Sequence, residues 1–306
     1  MKKVLVATEK PFAPSAIKGI REVIEAAGYQ LELLEKYTAK EQLLQAVADA
    51  DAIIIRSDIV DAEVIDAAKK LKLVVRAGAG YDNIDLAAAT AHGICAMNTP
   101  GQNANAVAEL AIGLMIYAQR NMYNGASGTE LRGKNLGLHA YGNVARAVAR
   151  IAEGMGMNIY VYDPYTSQEA VSANGHTKVD TVQELYSTCN IVSLHIPATP
   201  ETKQSIGRDL VGSMPKGALL VNTARKEVIN EPELLALMSE RTDIKYFTDI
   251  APAALEDFKN CQGRFFAPPK KMGAQTAEAN INAGIAAARQ IVAFFENGDE
   301  RFRVNK

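Results

Sequence analysis

Residues 137–163, reading GLHAYGNVARAVARIAEGMGMNIYVYD, join a glycine turn to an acid downstream, a pairing that could hold a dinucleotide. Gly142 marks a sharp turn, Val144, Ala145, Val148 and Ile151 follow at helical spacing, and residues 159–162 read as a strand closed by Asp163. Strand, turn, helix, strand is the order a nucleotide-binding βαβ unit needs. Its turn must bring backbone N–H groups, here around Tyr141, Gly142, Asn143 and Val144, onto a pyrophosphate at a helix N-terminus, where aligned peptide dipoles favour an anion. An acid about 20 positions on can then accept the ribose hydroxyls. Asp163 stands there, and its charge predicts NAD over NADP because it would repel a 2′-phosphate. The glycine pattern is incomplete: where G-x-G-x-x-G asks for glycines, the chain has Ala140, Gly142 and Ala145. The last position accepts alanine, but the first supplies a tight turn that alanine makes less freely. On this fragment alone, an ordinary buried βαβ unit without a ligand is the alternative.

Other candidate residues lie upstream. Residues 53–56 read as a strand ending on Arg56 and Ser57, and open α/β sheets bind ligands at C-terminal strand ends. A solvated loop arginine accounts for the same residues equally well. Residues 74–80, VVRAGAG, read as a strand running into a glycine-rich turn, where the small Ala77 and Gly78 would let backbone amides approach an anionic substrate. A tight turn with Arg76 in a salt bridge is the plain alternative.

The elements that must position these residues alternate. Residues 4–7 and 31–34 read as strands, 15–27 as a helix with Ile17, Ile20, Val23 and Ile24 on one face and Gly28 past its end, and 41–47 as a second helix. Residues 94–98 form another strand, and TPGQNANAVAELAIGLMIYAQRN a long helix whose start carries Gln102, Asn103 and Asn105 as caps. Such alternation predicts parallel sheets covered on both faces.

Bulk properties narrow the function. At 306 residues the chain is long for one core and suggests two domains. A net charge of -2 and the lack of a long basic run give no support for nucleic-acid binding, so the partner is expected to be a small molecule. Cys95, Cys189 and Cys261 lack metal-ligand or disulfide spacing, which points to a reducing cytoplasm and no metal. Met1-Lys2-Lys3 runs straight into a strand-like segment, leaving no room for a secretory leader, and no run approaches a membrane span.

RAGAGYDNIDL followed by NTPGQNANAVAELAIGLM resembles the D-isomer-specific 2-hydroxyacid dehydrogenase family, as do MPKGALLVNTARKEVINE and blocks from about residue 50 to the C-terminus. The resemblance implies an α/β protein of two Rossmann-like or flavodoxin-like domains with parallel sheets and a cleft between them. It implies a discontinuous substrate domain, 1–98 plus 281–306, closed by a final helix at residues 285–295. Residues 99–280 would form the NAD-binding domain, and through it a homodimer. Arg225 matches the arginine that clamps the substrate carboxylate, a role that suits a planar fork of donors. Thr223 and Ala224 are delivered with it by the strand 218–222. Residues 191–197, IVSLHIP, read as a strand whose His195 and Pro197 are implied to lie along the cofactor. Asp249 would meet the nicotinamide carboxamide, with Gly273 close by. Arg56, Ser57, Arg76, Ala77, Gly78 and Asn103 are implied to hold the substrate.

One departure concerns the chemistry itself. The family pattern expects a glutamate after D-V-F and a histidine in P-H-I-G-G, but Ala254 and Lys271 stand at those positions, and all four histidines lie at or before residue 195. Lys271 is then the expected acid/base. A free lysine near pKa 10.4 (about) is a poor base at neutral pH, but desolvation and neighbouring cations such as Arg225 and Lys270 would lower it. The missing glutamate fits, since a carboxylate there would hold the ammonium charged. The expected reaction is NAD-dependent oxidation of 3-phosphoglycerate to 3-phosphohydroxypyruvate, the entry to serine. The alternatives are a reductase of another 2-hydroxy acid and an inactive NAD(H)-responsive binding protein. The chain ends soon after the closing helix, so appended regulatory domains are not expected.

Overall fold

The structure, a computed structural model, describes residues 1–305. It divides into two units, Met1–Asn103 with the described part of Thr276–Lys306, and Ala104–Gln275.

In the first unit, β1 (Lys3–Thr8), β2 (Gln30–Glu35), β3 (Ala52–Ile55), β4 (Leu73–Arg76) and β5 (Cys95–Asn98) form a parallel sheet in the order β2-β1-β3-β4-β5. Period-2 alternation sends Val4, Val6, Ile54 and Val75 to one face, against Ile20 and Ile24 of the helix Pro14–Ala26 and Ala287 and Ile291 of the helix Ala277–Asn297. Leu5, Ala7, Ile53, Ile55 and Val74 point the other way, against Leu43, Val47, Val64 and Ala89. With both faces buried, β3 and β5 are apolar or neutral throughout and fully enclosed. The strand order reverses between β1 and β3, and that switch point opens at the C-terminal ends carrying Arg56 and Ser57.

In the second unit, β6 (Asn135–His139), β7 (Asn158–Tyr162), β8 (Thr177–Lys178), β9 (Ile191–Leu194), β10 (Leu219–Asn222), β11 (Lys245–Thr248) and β12 (Phe265–Phe266) form a parallel sheet ordered β12-β11-β10-β9-β6-β7-β8. One face packs Leu136, Leu138, Val161, Ile191 and Val221 against the helices Ala104–Gln119 and Asn143–Gly154. The other packs Val192, Leu194, Leu220 and Tyr246 against Leu185, Val211, Leu234 and Met238. Here the order reverses between β6 and β9, the arrangement that binds dinucleotides.

Several expected boundaries move. The final helix starts at Ala277, eight residues before the expected 285, because the Thr276 side chain accepts from Ala279 N at 3.1 Å and caps it. The division between units accordingly falls at Gln275/Thr276 and at Asn103/Ala104, at helix starts, and not at 280 and 98. Of the residues expected at the start of the long helix, Asn103 directly precedes it, while Asn105 lies inside it, donating to Glu109 at 2.6 Å and accepting from Arg150 at 3.1 Å.

Candidate active site

The switch point of the second unit is built around the turn after β6. Ala140 takes φ +81°, the left-handed region that glycine enters freely and alanine does not. Ala140 therefore holds a left-handed conformation at the position where the pattern asks for glycine. Gly142 then caps the helix Asn143–Gly154 with no side-chain hydrogen bond, so the first-turn N–H groups of Asn143, Val144 and Ala145 face outward. A Cβ built on Gly142 would meet nothing within 4 Å, leaving open the space a pyrophosphate would take. Ala145 is fully buried where the helix meets the sheet, the close approach that asks for a small residue. The buried Asp163 closes β7, accepting from Tyr141 N at 2.7 Å and Tyr165 N at 2.8 Å. Each carboxylate oxygen keeps a lone pair for a ribose hydroxyl.

Along the C-terminal edge, two orphaned atoms bear on whether NAD fits. Thr223 Oγ1 after β10 and Asp249 Oδ1 after β11 are buried without a hydrogen-bond partner among the described residues. A carboxamide and a ribose or phosphate edge supply the donors and acceptors those atoms lack, so the donor set suits NAD. Burial raises the Asp249 carboxyl above its ordinary value, opposed by the charges of Lys271 and Arg225 and by the Gly273 amide. His195 follows β9 directly and hydrogen-bonds His139 O through its backbone at 3.0 Å. Though part of the residue is exposed, its Nε2 is enclosed and unpartnered. Burial, with the neighbouring His139, depresses the His195 pKa to about 3, so the ring is neutral and unable to serve as a protonated acid at pH 7. Pro197 is exposed beyond it.

Lys271 and Arg225 converge on one carbonyl. Ala224 O accepts from Arg225 Nη1 at 3.0 Å and from Lys271 Nζ at 2.9 Å. The segment carrying Lys271 is anchored two residues on, where Gly273 N donates to Asp249 Oδ2 at 3.0 Å. Gly273 has to lack a side chain there, since a Cβ would sit 2.5 Å from that same oxygen. Asp249, Ala224 and Gly273 together place an ammonium beside the guanidinium. The neighbouring loop contributes no acid, because Ala254 stands on it and the oxygens of Glu231 accept from Ala253 N at 2.9 Å and Ala254 N at 2.8 Å.

In the first unit the candidate residues lie at the ends of β3 and β4. Arg56 is more structural than its sequence position suggests: it donates to Lys10 O, Pro11 O and Asn280 Oδ1 at 3.0, 3.1 and 2.6 Å, and its guanidinium lies 5.1 Å from the Phe12 ring centroid. Arg76 Nε donates to Arg56 O at 3.0 Å, and its guanidinium folds over Gly78, where φ is +154° and a Cβ would meet Nη1 at 1.6 Å. Asn83 donates to Arg56 O and Asp58 O at 3.2 and 2.6 Å, and the buried Asp58 accepts from Glu9 N and Tyr37 Oη. These braces set the loop carrying the exposed Ser57; Ala77 is buried and Asn103 half-buried. Asp58, Asn83 and Asn280 were not singled out from sequence, and only the D-N-I-D run around Asn83 carried a signal. No cluster of three or more His, Cys, Asp or Glu side chains suited to a metal occurs among the described residues. No helix among them is long and apolar enough to cross a membrane.

Two parallel sheets, one with the dinucleotide strand order and paired cations at its edge, define a two-unit α/β protein of the nucleotide-binding class. Comparison makes the assignment narrower. The family described as D-isomer specific 2-hydroxyacid dehydrogenase, catalytic domain, matches residues 5–305, and the chain belongs to that family. It is 36% identical to the D-3-phosphoglycerate dehydrogenase of Methanocaldococcus jannaschii, over 95% of this chain but 57% of that longer protein. It is 34% identical to the hydroxypyruvate reductase of Thermotoga maritima, over 86% of this chain and 90% of the relative. Among solved structures it is similar to NAD+-bound 3-phosphoglycerate dehydrogenase of Entamoeba histolytica, with 49% identity, a TM-score of 0.89, and coverage of 100% of this chain and 99% of that one.

Proposed function

We propose that the protein is an NAD-dependent 2-hydroxyacid dehydrogenase that oxidises 3-phosphoglycerate to 3-phosphohydroxypyruvate, with Lys271 as the acid/base. The carrying observation is the shared carbonyl of Ala224, which holds Lys271 Nζ and Arg225 Nη1 side by side. Arg225 keeps further N–H donors to pair with a carboxylate in bidentate fashion. Lys271 Nζ, as a neutral amine, takes the proton of the C2 hydroxyl as the C2 hydride leaves; in the reverse direction the ammonium returns it to the keto oxygen. Bound NAD+ supplies the hydride acceptor. Asp249 and Thr223 orient it through the atoms that now lack partners, and Asp163 and the Gly142 turn hold its ribose and pyrophosphate. Of the first-unit residues, Arg76 and the amides of Ala77 and Gly78 are assigned to the substrate's anionic groups, and Ser57 and Asn103 are further candidates for the substrate. On this proposal the reaction stands at the entry to serine formation, in the cytoplasm, in a homodimer formed through the NAD-binding unit.

One observation favours a second substrate. Three N–H donors of Arg56 are already spent within the protein, which weakens it as a phosphate ligand and favours an unphosphorylated acid such as that named for the Thermotoga maritima relative. The ratio of kcat/KM for 3-phosphohydroxypyruvate and hydroxypyruvate separates the two. For the acid/base, Lys271→Met should lower kcat by about 10²–10⁴, the usual worth of a positioned proton-transfer group. The wild-type oxidation rate should also rise with pH well above the imidazole range. A mutant turning over at the wild-type rate would remove Lys271 from the mechanism. Wild-type protein that binds NADH yet reduces no 2-keto acid would establish a binding protein instead.

A further inference from the structure

We infer that Tyr141 is a positioning residue for the cofactor turn, held there by a Tyr141–His176–Glu153 chain, buried at Tyr141 and His176 and reaching solvent at Glu153, that replaces the freedom of the absent glycine at position 140. The inference rests on the NAD reading above.

A non-glycine residue in the left-handed region persists only where its surroundings over-determine it. Around Ala140 they do. Ala140 N donates to Tyr162 O at 2.9 Å, and Tyr141 N to Asp163 Oδ2 at 2.7 Å. Arg146 Nε donates to Tyr141 O at 3.1 Å, with its guanidinium carbon 4.2 Å from the Tyr141 ring centroid. Those contacts come from strand, acid and helix, the ordinary parts of a βαβ unit. The remaining one does not. Tyr141, only 2% exposed, turns its ring inward, and its hydroxyl meets His176 Nδ1 at 2.5 Å. His176 Nε2 in turn lies 2.8 Å from Glu153 Oε1.

The chemistry of the chain sets its direction. A carboxylate only accepts, so Nε2 of His176 carries the hydrogen toward Glu153, which in a neutral ring leaves Nδ1 to accept from the Tyr141 hydroxyl. The histidine ring stands edge-on to the tyrosine, with centroids 5.7 Å apart and planes at 89°. Glu153 belongs to the helix whose N-terminus Gly142 caps, and His176 precedes β8. The chain is therefore a strut from the turn to the far end of its own helix. Loosening it should let Ala140 leave the left-handed region, which withdraws the Asn143 and Val144 amides from the pyrophosphate while leaving Arg225 and Lys271 in place.

The test is His176→Leu in two backgrounds, Ala140 and Ala140→Gly, read by NADH fluorescence titration, steady-state kinetics and amide hydrogen exchange of the ligand-free turn. In the Ala140 background, His176→Leu should raise the Kd for NADH about five- to tenfold and speed exchange at residues 140–146, with kcat at saturating NADH nearly unchanged. In the Ala140→Gly background it should change Kd less than about twofold, since glycine enters the region near φ +81° without strain and needs no strut to keep it there. An unchanged Kd, or an equal rise in both backgrounds, overturns the proposal. Should His176→Leu not fold, Tyr141→Phe removes the hydroxyl alone and is held to the same Kd criteria. Wild type that binds no NADH overturns the NAD reading itself, an outcome distinct from wild type that binds and variants that bind equally.

Discussion

The two histidines at the switch point of the second sheet should make stability strongly pH-dependent. Burial depresses His139 to about 4, opposed by Asp163, and burial with His139 depresses His195 to about 3, from an ordinary value of 6.5. Both folded values lie below the unfolded one, so the unfolded chain binds more protons in between. The stabilisation is thus complete above pH 6.5 and is lost as pH falls toward 4 and then 3. At about 1.4 kcal/mol per pH unit for each group, the two together forfeit about 4 kcal/mol between pH 7.5 and 5. His139→Leu isolates half of this. It keeps an apolar group between Tyr162 and Tyr186 but leaves the Tyr186 hydroxyl without the ring nitrogen now 3.2 Å away, at a cost of about 1–2 kcal/mol at neutral pH. Urea unfolding followed from pH 7.5 to 5 should find the variant less stable at the upper end and losing about 2 kcal/mol less than wild type across the range. Parallel curves for the two proteins would mean that His139 titrates alike in both states, and the burial argument would fail.

Further outcomes follow from the cation pair. In Gly273→Ala the new methyl would crowd Asp249 Oδ2, so the unfolding temperature should fall by several degrees, for a loss of about 2 kcal/mol, and kcat should drop as Lys271 shifts. A variant with the wild-type melting temperature and kcat would show that the contact is not what anchors the segment. Arg225→Lys keeps the charge but loses the planar fork. The kcat/KM for the keto acid should fall about 10- to 100-fold, mainly through KM, and an unchanged KM would count against carboxylate binding at this residue.

How far the sequence alone led depended on how local each feature is. Central strands of both sheets were readable because parallel strands buried on both faces are short apolar runs, and β3, β5 and β10 depart from the expected limits by a residue at most, whereas β8, β11 and β12 were not read. The turn at Ala140, Gly142 and Ala145 was equally readable, since a βαβ turn is local, and the left-handed φ is what its pattern asks for. Contacts made across the fold were not. Arg56 is separated by 224 residues from its partner Asn280, and its neighbour in sequence, Ser57, carries no hint that the guanidinium is tied down. Tyr141 and His176 lie 35 residues apart, and nothing in the periodicity of either segment faces one toward the other. The early start of the last helix was missed for another reason: one threonine cap decides it, while the apolar stripe becomes obvious only a turn or two later.

The departures in the active-site pattern form one electrostatic arrangement. A histidine base works with a carboxylate beside it, which stabilises the imidazolium; a lysine base needs the opposite, because a carboxylate would favour the ammonium it must give up. The loop at residues 250–254 meets that need twice. It carries Ala254 where an acid is expected, and it turns Glu231 onto the Ala253 and Ala254 amides. Asp249 lies in the field of Lys271 and is buried, with one oxygen bound to Gly273 N and the other without a hydrogen-bond partner among the described residues. A carboxamide donor on that free oxygen would draw its charge toward the cofactor and away from the lysine. On the proposed function, with Lys271 as the base, cofactor binding would then tune that base, which favours ordered addition, NAD+ before the hydroxy acid.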